Sequence, residues 1–170
     1  MHHQFSTCDL CDEHKGDGSG AFRVIPGGLY RSYGGLTRFA GPVATLRCLE
    51  DNSLVKRAVE GPGQGRVLVV DGGGSLKRAL LGGNLAAAAA RNGWAGVLIH
   101  GALRDLAELR AAQVGLLALG HVPLPTERSN QGLADVALQI GGGVWVRPLD
   151  WLYADEDGVV IADRPLHQAP

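Results

Sequence analysis

A β-strand that runs into a charged pair is predicted by Gly96-Val97-Leu98-Ile99-His100-Gly101-Ala102-Leu103-Arg104-Asp105, in which the apolar run ends at a glycine. A second apolar run, at 67–70, leads into Asp71-Gly72-Gly73-Gly74, and a helix follows from Leu81-Gly82-Gly83-Asn84-Leu85. Each segment therefore ends a strand close to the start of a helix. Because α/β folds place their ligand sites at the carboxyl ends of strands, we expect a site here.

Strands and helices alternate through the middle third of the chain. Apolar runs and capping signals predict a short helix that is capped by Asp51 or Asn52 and ends at Glu60. They then predict a strand at 66–70, a helix at 84–92, a strand at 96–100, a helix at 106–112 and a strand at 116–119. This alternation implies parallel strands joined by right-handed crossovers.

The last third is predicted to be rich in short strands, at 136–140, 144–146, 151–154 and 159–162. The turn Asp155-Glu156-Asp157-Gly158 lies between two apolar runs and predicts a β-hairpin. We therefore expect an α/β fold with a parallel strand–helix core and a β-rich C-terminal part, in a single domain that spans residues 1–170.

Composition and charge narrow the class of protein. The net charge of the 170 residues is −1 and the basic residues are scattered, so we expect no direct binding of nucleic acid. No apolar run approaches the roughly 18 residues of a membrane span, and the first residues show no export signal. Three cysteines argue against a disulfide framework. These features predict a cytoplasmic protein that does not associate with membranes.

Cys8, Cys11 and His14 are spaced as metal ligands can be, but no second Cys/His pair follows, and a structural zinc ion needs four ligands. The alternative is an amphipathic helix over 7–14 that buries Leu10 and Cys11. Its other face would expose three acidic residues, Asp9, Asp12 and Glu13. We favour the helix.

Arg104 and Asp105 are the candidate catalytic residues. An arginine can bind a carboxylate through two donors, and an aspartate can bind a hard divalent cation. The backbone amides of Gly82, Gly83, Asn84 and Leu85 would form an anion site at the start of a helix. The competing interpretation is that Asp105 forms a capping box with Glu108 and that Arg104 is an ordinary surface residue.

The glycine cluster after Asp71 has a simpler interpretation than nucleotide binding. It lacks the GxGxxG pattern and the lysine of a P-loop. We interpret these glycines as allowing a close approach between a strand and a loop.

Several motifs together resemble the RraA-like family, which includes the regulator of ribonuclease E activity A and 4-hydroxy-4-methyl-2-oxoglutarate aldolase. The resemblance covers about residues 7–162 and rests on segments 31–43, 50–52, 70–75, 81–86, 92–97, 101–105 and 151–158. It implies a swivelling β/β/α domain and a ring-shaped homotrimer, or a dimer of trimers, with sites near subunit interfaces.

The resemblance also implies an activity. The family's aldolases use a divalent metal ion, usually Mg²⁺, cleave their substrate to pyruvate and also decarboxylate oxaloacetate. Carried onto this chain, Asp105 would bind the metal ion, and Arg104 with the amides of residues 82–85 would bind a small 2-keto acid.

One position departs from the family pattern. The active aldolases carry an aspartate about twenty residues before the Arg-Asp pair, where this chain has Gly83. The resemblance therefore predicts a lyase with weak turnover. The alternative function is a non-enzymatic regulator that binds ribonuclease E or another protein.

Overall fold

The computed structural model describes residues 4–167, and the central feature is a mixed sheet with helices against one face. Its elements are α1 (Thr7–His14), β1 (Phe22–Val24), β2 (Arg31–Ser32), β3 (Phe39–Arg47), α2 (Ser53–Glu60), β4 (Val67–Asp71), β5 (Ala79–Leu81), α3 (Gly83–Arg91), β6 (Gly96–Leu103), α4 (Leu106–Ala111), β7 (Gly115–His121), β8 (Leu133–Ala134), β9 (Leu138–Ile140), β10 (Val144–Val146), β11 (Trp151–Ala154) and β12 (Val159–Ala162).

The sheet joins the two predicted parts of the chain. Its main strand order is β1-β12-β11-β3-β4-β6-β7-β2. In addition, β5 pairs with β6, and β8 pairs with β3. The strands β4, β6 and β7 run parallel, as the strand–helix alternation predicts, and β3 also pairs in parallel with β4. The C-terminal strands β11 and β12 form the predicted antiparallel hairpin, and β11 pairs with β3. The mixed α/β fold class is thereby confirmed.

Both faces of the central strands are covered. Along β4, Leu68 and Val70 pack in the core beneath the helices, while Val67 and Val69 pack in a second core on the opposite face. That second core includes Leu138 of the β9–β10 hairpin. Successive side chains of a strand point to opposite faces, so a continuously apolar strand requires cover on both.

A close approach explains two of the many glycines. The ring of Phe39 lies against Gly96 and Gly115, at the starts of β6 and β7, where a Cβ atom at either position would overlap the ring. These two glycines therefore leave the space that buries Phe39.

The helix predicted over 7–14 is confirmed: Leu10 is buried, Cys11 is half-buried, and the three acidic side chains are exposed. None of the helices within residues 4–167 is long and apolar enough to cross a membrane.

Candidate active site

The Arg104-Asp105 pair follows directly after β6. This strand is three residues longer than predicted, since it continues through Gly101 to Leu103. The pair therefore lies at the carboxyl edge of the parallel strands. Both side chains are partly exposed, at 40% for Arg104 and 38% for Asp105.

A strand that the sequence analysis missed, β5, brings the second candidate segment to the same edge. It pairs in parallel with β6, with Leu81 opposite Leu103. The Arg104 backbone N–H donates to the Leu81 carbonyl oxygen at 3.1 Å. Because α3 begins at Gly83, two residues after β5, its first turn lies beside the Arg104-Asp105 pair.

Asp105 caps the neighbouring helix instead of its own. Its Oδ2 accepts a hydrogen bond from the Gly83 backbone N–H at 2.9 Å. The Asp105 backbone is left-handed, with φ of +64°, and its side chain makes no capping hydrogen bond to α4. A capping residue normally has an extended backbone that directs the side chain to its own helix. The capping-box interpretation with Glu108 is therefore wrong.

The expected anion site is altered by the same contact. The Gly83 N–H is already bound to Asp105, so the four amides of Gly82, Gly83, Asn84 and Leu85 are not all available. The amides of Asn84 and Leu85 belong to the first turn of α3, where no intrahelical acceptor exists. A Cβ atom on Gly82 would lie 2.6 Å from Asp105 Oδ2, so a glycine is required there for the contact.

A polar groove with a cavity volume of about 450 Å³ adjoins the pair. It is lined by residues of α2 and α3, by the Arg104-Asp105 pair and by the segment after β7. Its lining carries more basic than acidic side chains, the basic ones being Lys56, Arg91, Arg104 and Arg128 and the acidic ones Glu60 and Asp105. Glu60 is paired with Lys56 at 2.5 Å. The groove is therefore suited to a small anion, although the whole chain is slightly acidic.

A buried carboxylate holds the segment that carries Arg128. Asp51 is 4% exposed and accepts hydrogen bonds from the backbone N–H groups of Ser53 (2.8 Å), Ser129 (2.7 Å) and Gln131 (3.2 Å). Burial acts to raise the pKa of Asp51, but a hydrogen bond from the Ser53 hydroxyl at 2.6 Å and these backbone hydrogen bonds outweigh it and lower the pKa to about 2. From the sequence, Asp51 is predicted only as a possible helix cap, and Arg128 gives no signal because it lies in an irregular loop.

The backbone N–H groups of the glycine cluster after Asp71 are bound to acceptors within the protein. The N–H groups of Gly72 and Gly74 both donate to the His100 carbonyl oxygen at 3.1 Å, and that of Gly73 donates to Asp71 Oδ1 at 2.9 Å. A Cβ atom on Gly72 would lie 2.9 Å from the same carbonyl oxygen. This geometry confirms the interpretation that the glycines allow a close approach.

A second cavity lies elsewhere and has a different chemistry. Its volume is about 560 Å³, and its lining includes the aromatic residues Phe5, Phe39, Trp94 and Trp151 with Arg38 as its one ionisable side chain among the described residues. Reactions of small anions need ionisable and hydrogen-bonding groups, which the groove beside Arg104 supplies.

The described residues include no group of three or more His, Cys, Asp or Glu side chains placed to hold a metal ion. A metal ion in the groove would therefore have Asp105 as its protein ligand and would keep several water ligands. Mg²⁺ is commonly bound in this way, through one or two carboxylates, so the residues present fit this ion.

The fold and groove define a mixed α/β protein with a groove at its strand ends that is lined by more basic than acidic side chains. The RraA-like family model, described as Aldolase/RraA, matches residues 7–161, and the chain belongs to this family.

Three relatives show the range of descriptions in the family. A protein of Albidiferax ferrireducens named "Putative 4-hydroxy-4-methyl-2-oxoglutarate aldolase" is 63% identical over 166 residues, covering 93% of this chain and 95% of its own length. The structure of the RNA-processing inhibitor RraA from Thermus thermophilis superposes with a TM-score of 0.88 at 47% identity, covering 95% of this chain and 94% of that one. A Geobacillus kaustophilus structure described as S-adenosylmethionine: 2-dimethylmenaquinone methyltransferase gives 0.86 at 44% identity, covering 95% and 97%.

Proposed function

We propose that this protein is a divalent-metal-dependent carbon–carbon lyase that cleaves 4-hydroxy-4-methyl-2-oxoglutarate and also decarboxylates oxaloacetate. The observation that carries the proposal is the position of Arg104 and Asp105, side by side at the edge of a cation-rich groove. The name of the Albidiferax relative, at 63% identity, supports the same activity.

The groove offers complementary groups for both ends of the substrate. The Arg104 guanidinium and the amides of Asn84 and Leu85 would bind the carboxylate next to the keto group. 4-Hydroxy-4-methyl-2-oxoglutarate and oxaloacetate both carry a second carboxylate. Lys56, Arg91 and Arg128 supply further positive charge for it in the same groove.

Asp105 would hold the divalent cation, for which Mg²⁺ is the proposed ion. Its contact with Gly83 fixes the carboxylate before any ligand arrives. When bound, the cation supplies Lewis acidity at the keto oxygen, where negative charge develops.

Both proposed reactions break the bond between C3 and C4 of the substrate. The electron pair of that bond remains on the three-carbon fragment as a pyruvate enolate, and the other product is pyruvate in one case and CO₂ in the other. Arg104 would hold the carboxylate of this fragment in both reactions, so one site serves two substrates. The absence of a carboxylate on Gly83 gives the expectation of weak turnover, because general acid–base groups are typically worth 10²- to 10⁴-fold in rate.

The proposed assembly is a ring-shaped homotrimer or a dimer of trimers. The family resemblance is its first support. A second is the aromatic-lined cavity together with exposed large apolar side chains such as Leu49, Leu133 and Leu149, at 66%, 55% and 75%. Apolar surface of this kind is typical of protein–protein contacts.

The second candidate function is a regulator that binds ribonuclease E or another protein partner. It is favoured by the similarity to the RNA-processing inhibitor RraA of Thermus thermophilis. This function would require a surface of the assembled ring and would not require the groove.

A pyruvate-release assay with each substrate, with and without Mg²⁺, tests the proposal. We expect turnover of both substrates that chelation abolishes. Absence of turnover, with capture of ribonuclease E by the purified protein, would favour the regulator.

A further inference from the structure

Asn52 lies at the start of α2, but its side chain does not stabilise that helix. It occupies the N-cap position and makes no capping hydrogen bond. The neighbouring Asp51 accepts from the Ser53 N–H of the first turn instead. The Asn52 side chain is therefore not needed as a cap, although the residue is only 9% exposed.

One hydrogen bond fixes the orientation of the Asn52 amide. Its Oδ1 atom accepts from the Arg128 Nε–H at 3.2 Å. An arginine only donates hydrogen bonds, so the oxygen of the amide must face Arg128 and the NH₂ group must point away from it.

The NH₂ group of Asn52 is presented to the groove. It has no acceptor within residues 4–167. In the same part of the chain, Arg23 Nε is the one fully buried side-chain nitrogen or oxygen without a partner, so the Asn52 nitrogen retains some exposure. Asn52 lines the groove together with Arg104 and Asp105, and a ligand in the groove can therefore reach its two donors.

Arg128 adds further donors beside the Asn52 amide. Its Nε–H is bound to Asn52, whereas its two terminal nitrogens have no acceptor among the described residues. A carboxylate has two oxygens that each accept hydrogen bonds, so the amide and the guanidinium can bind one carboxylate together.

We infer that Asn52 is a specificity-determining residue whose NH₂ group donates to the second carboxylate of the substrate and selects 2-keto dicarboxylates over 2-keto monocarboxylates. The inference rests on the proposed lyase function, in which Arg104 binds the first carboxylate. A site built around a hydrogen-bond donor discriminates against a ligand that lacks the acceptor, because the donor is then left buried and unpaired.

Two unreactive ligands of equal length measure this selectivity. 2-Oxoglutarate carries the second carboxylate where the hydroxy acid has it but lacks the 4-hydroxyl group, and 2-oxopentanoate has a methyl group in place of that carboxylate. In calorimetric titrations with Mg²⁺ present, 2-oxoglutarate should bind to the parent at least about tenfold more tightly than 2-oxopentanoate.

Two variants remove the donor in different ways. Asn52→Asp retains the oxygen that accepts from Arg128 and replaces the NH₂ group with a carboxylate oxygen, so the affinity for 2-oxoglutarate should fall about 10- to 100-fold. Asn52→Ala removes the donor without adding a charge, and its affinity for 2-oxoglutarate should fall at least about tenfold. In both variants, the affinity for 2-oxopentanoate should stay within about threefold of the parent, and the melting temperature within about 4 °C.

Asn130→Asp is the matched control. The Oδ1 atom of Asn130 also accepts from an arginine, Arg57, at 3.4 Å, but Asn130 does not line the groove. This variant should bind both ligands as the parent does.

The remaining outcomes are distinct. If the parent releases pyruvate in the lyase assay but binds the two ligands equally, the inference fails and the proposed function stands. The same holds if both Asn52 variants keep the affinity for 2-oxoglutarate or lose both affinities equally. If the parent binds neither ligand and releases no pyruvate, both fail.

Discussion

Asp105→Asn separates the observed role of Asp105 as a cap for α3 from its proposed role as a metal ligand. An asparagine retains an oxygen that can accept from the Gly83 N–H, and it tolerates the left-handed backbone at this position. The folded protein loses only a charge near a helix N-terminus, which is worth about 0.3–1 kcal/mol. We therefore expect the melting temperature to fall by no more than about 4 °C.

The effect on metal binding should be much larger. Asp105 is the proposed protein ligand of the metal ion, and replacing even a residue that only supports a ligand typically costs about 10- to 100-fold in metal affinity. We expect the affinity for Mg²⁺, titrated calorimetrically with oxalate present, to fall at least about 100-fold. Asp105→Ala, which also removes the acceptor for Gly83 and places alanine in the left-handed region, should destabilise the fold by about 2 kcal/mol.

A matched control is available in the chain. Asp163 also neighbours an arginine in sequence, pairs with Arg164 at 2.9 Å and is 53% exposed. Asp163→Asn should leave binding of Mg²⁺ with oxalate unchanged. If Asp105→Asn binds them as tightly as the parent does, Asp105 serves only as a helix cap and the metal assignment is refuted.

Three further predictions concern other parts of the structure. Arg104→Lys keeps the charge but loses the planar pair of donors, so calorimetry should show oxalate binding weakened by roughly tenfold with little change in melting temperature. The pKa of Asp51 is about 2, below its ordinary value near 3.9, so the stability that this carboxylate contributes to the fold is complete above about pH 5 and is lost as the pH falls toward 2. Asp51→Asn should therefore remove this part of the pH dependence of the melting temperature between about pH 5 and pH 2, and an unchanged pH profile would contradict the prediction. Light scattering should report about three chains per particle or a multiple of three, whereas a stable monomer at micromolar concentration would rule out a site built at subunit interfaces.

The parallel core could be predicted because its signals are local. The apolar run of β4 and the alanine-rich α3 with Gly93 after it each fix an element within a few residues. The hairpin at 155–158 is likewise encoded by its own turn. In these segments local sequence preference and long-range packing agree.

β5 was missed for a physical reason. Three residues, Ala79-Leu80-Leu81, carry too little periodicity to predict a strand, and the strand exists because it pairs with the end of β6. The end of β6 was misjudged in the same way, since Gly101 is a typical strand breaker in sequence but continues the strand here. Register between distant segments decides both features.

The candidate site, like the fold, could be predicted from the sequence only in part. The sequence identified Arg104, Asp105 and the start of α3, because glycines and a charged pair next to apolar runs are visible without a structure. The direction of the Asp105 side chain was not visible, since it depends on a left-handed backbone. Arg128 joins the groove only because the buried Asp51 holds its loop.

The two adjacent glycines at the start of α3 correspond to two acidic side chains from the neighbouring segment. Gly82 leaves room for the Asp105 carboxylate, and Gly83 leaves room for that of Glu108. Any side chain at position 83 must displace Glu108, so an aspartate at 83 and Glu108 in its present position exclude each other. Gly83→Asp alone should therefore add no usable carboxylate to the groove, because it places two negative charges where the parent accommodates one. The glycine at position 83 therefore leaves the space that the Glu108 carboxylate occupies.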